Sequence, residues 1–283
     1  MLRYEIVDVF TDRAFAGNPL AVVLDAGDLT AEQMQSLAGE FNLSETTFVL
    51  PSEQADYRIR IFTPQVELPF AGHPSVGTAH TLARLGLIGP GSVIQECGAG
   101  LLPVQIADDG VTLTGGPAVI GEPLDPEPLL SAVGLAADDL AGPAPRSAGC
   151  GISFVYLSVN AGAVARAVAD LARLRPVVGL DSGISVSAWD GETRSAHTRV
   201  FAGDVGVGED PATGSAALGY GVWSVACGQL VGDGSSRYTV SQGIEMGRPS
   251  TLDCMVEAAN GRVVRATVRG QVVPVAHGEI REP

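Results

Sequence analysis

The chain has 283 residues, of which 46% are hydrophobic, so it is long enough to bury one large core or two cores of ordinary size. Its formal net charge of −15 comes from 32 acidic and 17 basic residues, and a surface of this sign opposes binding to nucleic acids and anionic membranes. Every basic residue is arginine, which excludes enzymes that require a lysine, such as pyridoxal-phosphate enzymes and Walker-type nucleotide-binding proteins.

The N-terminal residues and the hydropathy pattern predict a cytoplasmic protein. Glu5 and Asp8 lie where the apolar run of a signal peptide would have to be, and no stretch approaches the roughly 18 apolar residues of a membrane helix. The four cysteines contain no C-x-x-C pair, and the four histidines lack the spacing of metal ligands. We therefore expect buried or inert thiols, no disulfide framework and no metal site.

Strands and helices both follow from local patterns. Runs rich in β-branched and aromatic residues predict strands at residues 4–9, 20–24, 47–50 and 57–62. Residues 30–41 are predicted to form a helix that begins after Thr30 as N-cap and has an apolar face. Further helices are predicted at residues 75–85, 161–174 and 214–226. The first and the last of these three are apolar nearly all round, which indicates buried helices.

Two segments of similar sequence indicate an internal repeat. Arg60-Ile-Phe-Thr and Arg199-Val-Phe-Ala share the pattern R-[IV]-F-[TA], and each precedes a P-x-x-G-[ST]-A pattern that begins at Pro74 or Pro211. The alternative is chance similarity in a chain with 36 glycines. We interpret residues 115–128, rich in Gly and Pro, as a linker. This predicts two domains, residues 1–116 and 117–283, with the option that the last strand returns to the first domain.

The residues that could perform chemistry lie near the predicted helix starts. If two similar halves meet, the turns at residues 72–75 and 210–215 should face one cleft and bind a small carboxylate through helix N–H groups. Glu45 lies between a helix end and an apolar strand, where partial desolvation would raise its pKa towards neutrality, as proton transfer at carbon requires. The alternative is that Asn42 caps the helix and Glu45 is a solvated loop residue.

Three other side chains each have two interpretations. His73 hydrogen-bonds either a substrate or the backbone of its turn. Asp210 either contacts a substrate or N-caps the helix that follows it. Arg248 is either a clamp for a carboxylate or the partner of an internal acid, and Glu209 is expected to be exposed. These residues indicate a site but do not by themselves identify a reaction.

Several motifs occur in order along nearly the whole chain: Asn18-Pro, Asn42-Leu-Ser-Glu-Thr-Thr-Phe-Val, Arg60-Ile-Phe-Thr-Pro, Glu67-Leu-Pro-Phe-Ala-Gly-His-Pro-Ser, Gly77-Thr-Ala, Gly208-Glu-Asp-Pro-Ala-Thr-Gly-Ser-Ala, Gln242-Gly and Met246-Gly-Arg-Pro-Ser. Together they resemble the PhzF family, the phenazine-biosynthesis isomerases and their relatives. The resemblance implies an α+β fold of the diaminopimelate-epimerase-like type. Its two pseudo-symmetric halves would each wrap a β-barrel around a central α-helix.

The resemblance also implies an activity, with an active site between the two halves. The protein would be a cofactor-independent isomerase that moves a proton, and with it a double bond, on a small carboxylated substrate. Glu45 matches the acid/base of the family, and neither a cofactor nor a metal is implied. The matching substrate-binding positions are Gly72, His73, Asp210, Gly214 and Ser215. Members of the family are commonly homodimers.

Two other functions compete with this one. The first is an epimerase or racemase on the same fold, for example with Glu45 and Asp210 as the pair of acids. Epimerases and racemases of this fold carry a catalytic cysteine at the head of each central helix. Here Ala71-Gly-His and Asp210-Pro-Ala contain no cysteine. The second is a non-catalytic protein that binds small molecules, which the joint presence of the family's site residues opposes.

Overall fold

Strands form most of the regular secondary structure in the computed structural model, which describes residues 1–179, 181–202 and 207–283. The strands are β1 (Leu2–Val9), β2 (Asn18–Val23), β3 (Glu45–Leu50), β4 (Tyr57–Phe62), β5 (Glu67–Leu68), β6 (Gly91–Cys97), β7 (Gly100–Ala107), β8 (Gly110–Thr114), β9 (Ala118–Pro123), β10 (Arg146–Cys150), β11 (Ser153–Ser158), β12 (Ile184–Asp190), β13 (Ser195–Ala202), β14 (Val207–Asp210), β15 (Gly234–Gln242), β16 (Ser250–Ala259), β17 (Arg262–Gly270) and β18 (Val272–Ile280). The helices are α1 (Ala31–Phe41), α2 (Gly72–Arg84), α3 (Pro126–Ala132), α4 (Ala161–Val164), α5 (Leu171–Val178) and α6 (Gly214–Ala226), with one 3₁₀ turn at Ala137–Asp139. Within the described ranges, every helix is too short or too polar to cross a lipid bilayer.

The chain divides into two compact units. Unit 1 consists of Met1–Thr114 and Arg269–Pro283, and unit 2 consists of Gly115–Val268. Strands and helices occur in both units, in agreement with the predicted α+β class.

Unit 1 is built around α2. β1 pairs antiparallel with both β2 and β18, and β2 pairs in parallel with β3 across α1. β3 and β4 are antiparallel, and β4 pairs in parallel with β6 across α2. Strands β1, β2, β3, β7, β8 and β18 all contact α2, and ten of its 13 residues are buried. The helix is thus the centre of this unit, as its apolar sequence predicts.

Unit 2 repeats this scheme around α6. β9 and β11 flank β10 in antiparallel pairing, and β11 pairs in parallel with β12 across α4 and α5. β12 and β13 are antiparallel, and β13 pairs in parallel with β15 across α6. Helix α6 contacts β9, β10, β11 and β16, and twelve of its 13 residues are buried. The order of elements and the pairing rules are therefore the same in both units.

Gly219 shows why the centre of α6 contains small residues. A Cβ atom at Gly219 would lie 2.2 Å from the hydroxyl oxygen of Tyr156. That hydroxyl donates a hydrogen bond of 2.7 Å to the carbonyl oxygen of Ala216, one turn earlier in the helix. The glycine therefore allows a buried phenol to approach the helix backbone and satisfy its own polar group.

The repeat alignment through Pro74 and Pro211 is wrong. Helix α2 begins at Gly72 rather than at residue 75, so Pro74 is its third residue, whereas Pro211 lies before α6. A proline is tolerated in the first turn of a helix because its missing N–H has no intrahelical partner there. The positions that correspond are Gly72 and Gly214, which are the first residues of their helices.

Two other expectations need correction. The helix predicted at residues 161–174 is two helices, because Asp170 caps α5 by accepting hydrogen bonds from the N–H groups of Ala172 and Arg173. The predicted linker at residues 115–128 contains strand β9, which pairs with β10, and the first turn of α3. Its prolines lie just before the strand, at the end of the strand and in the first turn of the helix, where they are tolerated.

Candidate active site

The backbone around Glu45 is fixed by the end of α1. Asn42 adopts a left-handed conformation with φ of 50° and donates its N–H to the carbonyl oxygen of Ala38, which confirms that it caps the helix. The chain then enters β3 at Glu45, which pairs with Leu20 of β2. The side chain of Glu45 is only 13% exposed. The alternative of a solvated loop carboxylate is therefore wrong.

His73 lies beside Glu45 as the second residue of α2. Its Nε2 atom is 3.6 Å from Oε2 of Glu45, and its Nδ1 atom is 3.2 Å from the amide nitrogen of Asn18. The Oδ1 atom of Asn18 in turn accepts a hydrogen bond of 3.4 Å from the hydroxyl of Ser44. His73 thus contacts the side chains of Asn18 and Glu45. The interpretation that it hydrogen-bonds the backbone of its own turn is therefore wrong.

Burial determines the charge of His73. Its side chain is 4% exposed, and desolvation lowers its pKa to about 3, so the ring is neutral at physiological pH. The distance of 3.6 Å to Glu45 is longer than a hydrogen bond, although such contacts often shorten when a substrate binds. The Glu45 carboxyl group therefore lies beside a neutral imidazole rather than a cation.

The start of α2 can also bind an anion. Ala71 is the N-cap and provides no side-chain hydrogen bond to the first turn. Gly72 and His73 are the first two residues of the helix, where N–H groups have no intrahelical partner and the helix dipole is positive. His73 belongs to this first turn and its ring lies beside Glu45. Backbone N–H groups that can bind an anion are therefore close to the Glu45 carboxylate.

Unit 2 contains a second group of predicted site residues. Asp210 ends β14 and accepts a hydrogen bond of 2.5 Å from the hydroxyl of Thr213. Thr213, rather than Asp210, is the N-cap of α6, so the N-cap interpretation of Asp210 is wrong. Helix α6 also begins without a side-chain cap, at Gly214, and Ser215 is buried at its second position.

Gln242 holds the loop that leads into α6. Its Oε1 accepts a hydrogen bond of 3.2 Å from the N–H of Thr213, and its Nε2 donates to the carbonyl oxygen of Asp210 at 2.6 Å. Nε2 also contacts the hydroxyl of Thr213 at 3.0 Å. Because Gln242 is 1% exposed, water does not compete for these bonds. The amide thus fixes the segment that presents Asp210, Gly214 and Ser215.

The two arginines of the repeat have equivalent partners. Arg60 binds Glu67 with contacts of 2.6 and 2.7 Å and lies 5.2 Å from the ring centre of Phe62. In unit 2, Arg199 binds Glu209 at 2.7 and 2.8 Å and lies 5.0 Å from the ring centre of Phe201. Glu209 is therefore half-buried in an ion pair, and the expectation that it is exposed is wrong. Each pair anchors the strand that precedes a central helix.

The structure brings Glu45, Gly72 and His73 together in unit 1, and Asp210, Gly214 and Ser215 together in unit 2. The sequence contains Asn18, Ser44 and Gln242 only as members of motifs, and no signal in it predicts their contacts with other site residues. The backbone N–H of Arg248 donates to the carbonyl oxygen of Gly243, whereas the role of its guanidinium stays a prediction.

Metal ligands and thiols were the other candidates for chemistry in the described ranges. No three His, Cys, Asp or Glu side chains there are arranged to hold a metal ion. The four cysteines, all in that part of the chain, are free thiols, and burial raises the pKa of Cys150 to about 11. The prediction of inert thiols is consistent with this burial.

Comparison with known proteins gives a consistent result. A model of the PhzC-PhzF family, described as phenazine biosynthesis-like protein, matches residues 7–278. An uncharacterized isomerase of Mesorhizobium japonicum is 38% identical, with 98% of each chain covered. The trans-2,3-dihydro-3-hydroxyanthranilate isomerase of Pseudomonas aeruginosa is 34% identical, over 98% of this chain and 99% of that protein. A solved Bacillus anthracis phenazine biosynthesis protein of the PhzF family has a TM-score of 0.90 and 28% identity, with 99% of both chains covered. The predicted fold class is confirmed.

Proposed function

Since this chain belongs to the PhzC-PhzF family of phenazine biosynthesis-like proteins and is an isomerase, we propose that Glu45 is its acid and base and that its substrate is a small carboxylate. The observation that carries this proposal is the pairing of a 13% exposed carboxylate with a buried, neutral imidazole at 3.6 Å. A carboxyl group in such surroundings can exchange a proton with carbon without help from bulk water.

The proposed reaction uses one group twice. The Glu45 carboxylate removes a proton from an sp³ carbon next to a double bond, and the electron pair of the broken C–H bond forms a new double bond. The original double bond shifts its electrons to the distal carbon, which takes the same proton back from Glu45. Atoms and charge balance, and no electron acceptor is needed. An enzyme that inverts one carbon needs two groups on opposite faces, whereas this reaction needs one.

Substrate binding in unit 1 follows from the same residues. The N–H groups of Gly72 and His73 lie at the positive end of α2 and are suited to hold a carboxylate. His73, as a neutral donor, can also bond to the Glu45 carboxylate when the two move a few tenths of an ångström closer. For Asp210, Gly214 and Ser215 in unit 2, a role in substrate binding stays a prediction from the sequence.

We propose trans-2,3-dihydro-3-hydroxyanthranilate as the first substrate to test, because the Pseudomonas aeruginosa relative is named for the isomerisation of this compound. It carries the carboxylate that the helix N-terminus would bind. Relatives with the same fold can differ in substrate, so the acid/base role of Glu45 does not depend on this choice.

The test compares turnover by the wild type, Glu45→Gln and Glu40→Gln. Glu40 lies on the exposed side of α1, so the control makes the same change in charge outside the site. We expect Glu45→Gln to lose at least about 10³-fold in kcat, and Glu40→Gln to stay within about twofold of the wild type. Substantial activity in Glu45→Gln would refute the acid/base role. A wild type that leaves the compound unchanged would refute the substrate.

A further inference from the structure

We propose that Asn18 is a positioning residue that fixes which ring nitrogen of His73 carries the proton, so that an N–H group faces Glu45. This inference rests on the proposed role of Glu45 as acid and base. Asn18 itself touches His73 and Ser44, and it acts on the reaction through the imidazole.

The direction of the hydrogen bonds follows from the amide. Asn18 turns its NH₂ group towards Nδ1 of His73 at 3.2 Å and its Oδ1 atom towards the hydroxyl of Ser44 at 3.4 Å. An NH₂ group only donates, so Nδ1 must accept with its lone pair. In a neutral imidazole the single ring proton then lies on Nε2.

Burial makes this preference strong. Asn18 is 0% exposed and His73 is 4% exposed, so water cannot replace the amide as the partner of Nδ1. The ring is also neutral, because desolvation lowers its pKa to about 3, so the two nitrogens have different roles over the physiological range. With an accepting group in place of the NH₂, the proton would move to Nδ1.

The consequence for Glu45 is direct. Nε2 of His73 is the ring atom 3.6 Å from Oε2 of Glu45. With the proton on Nε2, this nitrogen can donate to the carboxylate and stabilise it without adding a full positive charge. With the proton on Nδ1, the lone pair of Nε2 would face a carboxylate oxygen, and the contact would become repulsive.

The first test reads the tautomer without any substrate. Protein labelled with ¹⁵N-histidine gives long-range ¹H–¹⁵N correlations that distinguish protonated from unprotonated ring nitrogens, and a His73→Gln spectrum assigns the signals of His73. We expect a neutral ring with the proton on Nε2 in the wild type. In Asn18→Asp, whose carboxylate has the same shape but only accepts, we expect the proton on Nδ1. A wild-type ring with its proton on Nδ1 would overturn the proposal, even if the variant failed to fold.

The second test is kinetic and uses trans-2,3-dihydro-3-hydroxyanthranilate. Asn18→Asp should lower kcat by about 10²-fold or more with a change in KM of less than about threefold, because orientation rather than binding is lost. Asn260→Asp makes the same substitution at an exposed turn of unit 2 and should leave kcat unchanged. A folded Asn18→Asp with the proton on Nδ1 and full kcat would overturn the positioning role. If Glu45→Gln retained activity, the proposed function would fail instead, and the tautomer spectrum would still decide the role of Asn18.

Discussion

Replacement of Gln242 by methionine should destabilise unit 2 by about 2–6 kcal/mol. Methionine keeps the length and approximate volume of the side chain, so the change removes hydrogen bonds without creating a large cavity. The N–H of Thr213 loses its acceptor at 3.2 Å, and the carbonyl oxygen of Asp210 loses a donor at 2.6 Å. Each such loss at a buried site costs about 1–3 kcal/mol, and the two together give the expected range.

Tryptophan fluorescence reports this loss selectively. The chain has two tryptophans, Trp189 and Trp223, and both lie in unit 2. Urea unfolding followed by their emission therefore measures the free energy of unfolding of the unit that contains Gln242. Gln229→Met is the matched control, because the amide of Gln229 accepts one hydrogen bond of 3.2 Å from Ser224, and its loss should cost about 1 kcal/mol or less.

The result that would refute this reasoning is a Gln242→Met protein within about 0.5 kcal/mol of the wild type. That outcome would mean that water or another side chain replaces the amide, and that Gln242 does not fix the segment before α6. The expected outcome would show that Gln242 fixes the segment that carries Asp210, Gly214 and Ser215.

Two further predictions concern ion pairs and pH. Arg199→Met should lower the free energy of unfolding by about 3 kcal/mol or more, because it leaves the half-buried Glu209 carboxylate without its partner. Arg60→Met removes a more exposed ion pair and should cost about 1 kcal/mol. Calorimetry on both variants measures these losses, and equal losses would contradict the prediction. His73 has a folded pKa of about 3 and an unfolded pKa of about 6.5, so the unfolded chain binds the extra proton and stability falls as pH drops through this window. Between pH 7 and 5 the wild type should lose about 2 kcal/mol more than His73→Gln, and parallel losses in the two proteins would show that the ring is not held neutral.

Much of the fold could be predicted because it is encoded locally. Helix α6 and strand β4 have the predicted bounds, and α1 begins after its Thr30 cap, since apolar periodicity and capping residues act over a few positions. The incorrect helix bounds arise where a capping residue or a proline competes with apolar periodicity over a few positions. Asp170 starts a new helix inside a stretch that reads as one, and Pro74 is accepted within the first turn of α2.

The candidate site was less predictable because its geometry depends on distant contacts. Glu45 and His73 were identified as candidates from their motifs, but their separation of 3.6 Å depends on β3 and α2 meeting in the folded unit. The contact of Asn18 with His73 joins residues 55 positions apart, and that of Gln242 with Thr213 joins residues 29 apart. No local pattern encodes such pairs. The sequence therefore indicates these two amides only by their presence in motifs.

The most direct test of the central claim is turnover of trans-2,3-dihydro-3-hydroxyanthranilate by the wild type in deuterium oxide, followed by NMR of the product. One buried carboxyl group that carries a proton between two carbons predicts a shifted double bond, with deuterium or the retained substrate proton at the receiving carbon alone. Deuterium at the original carbon, with inversion there and the double bond unmoved, would contradict the account and indicate an epimerase with two acid/base groups.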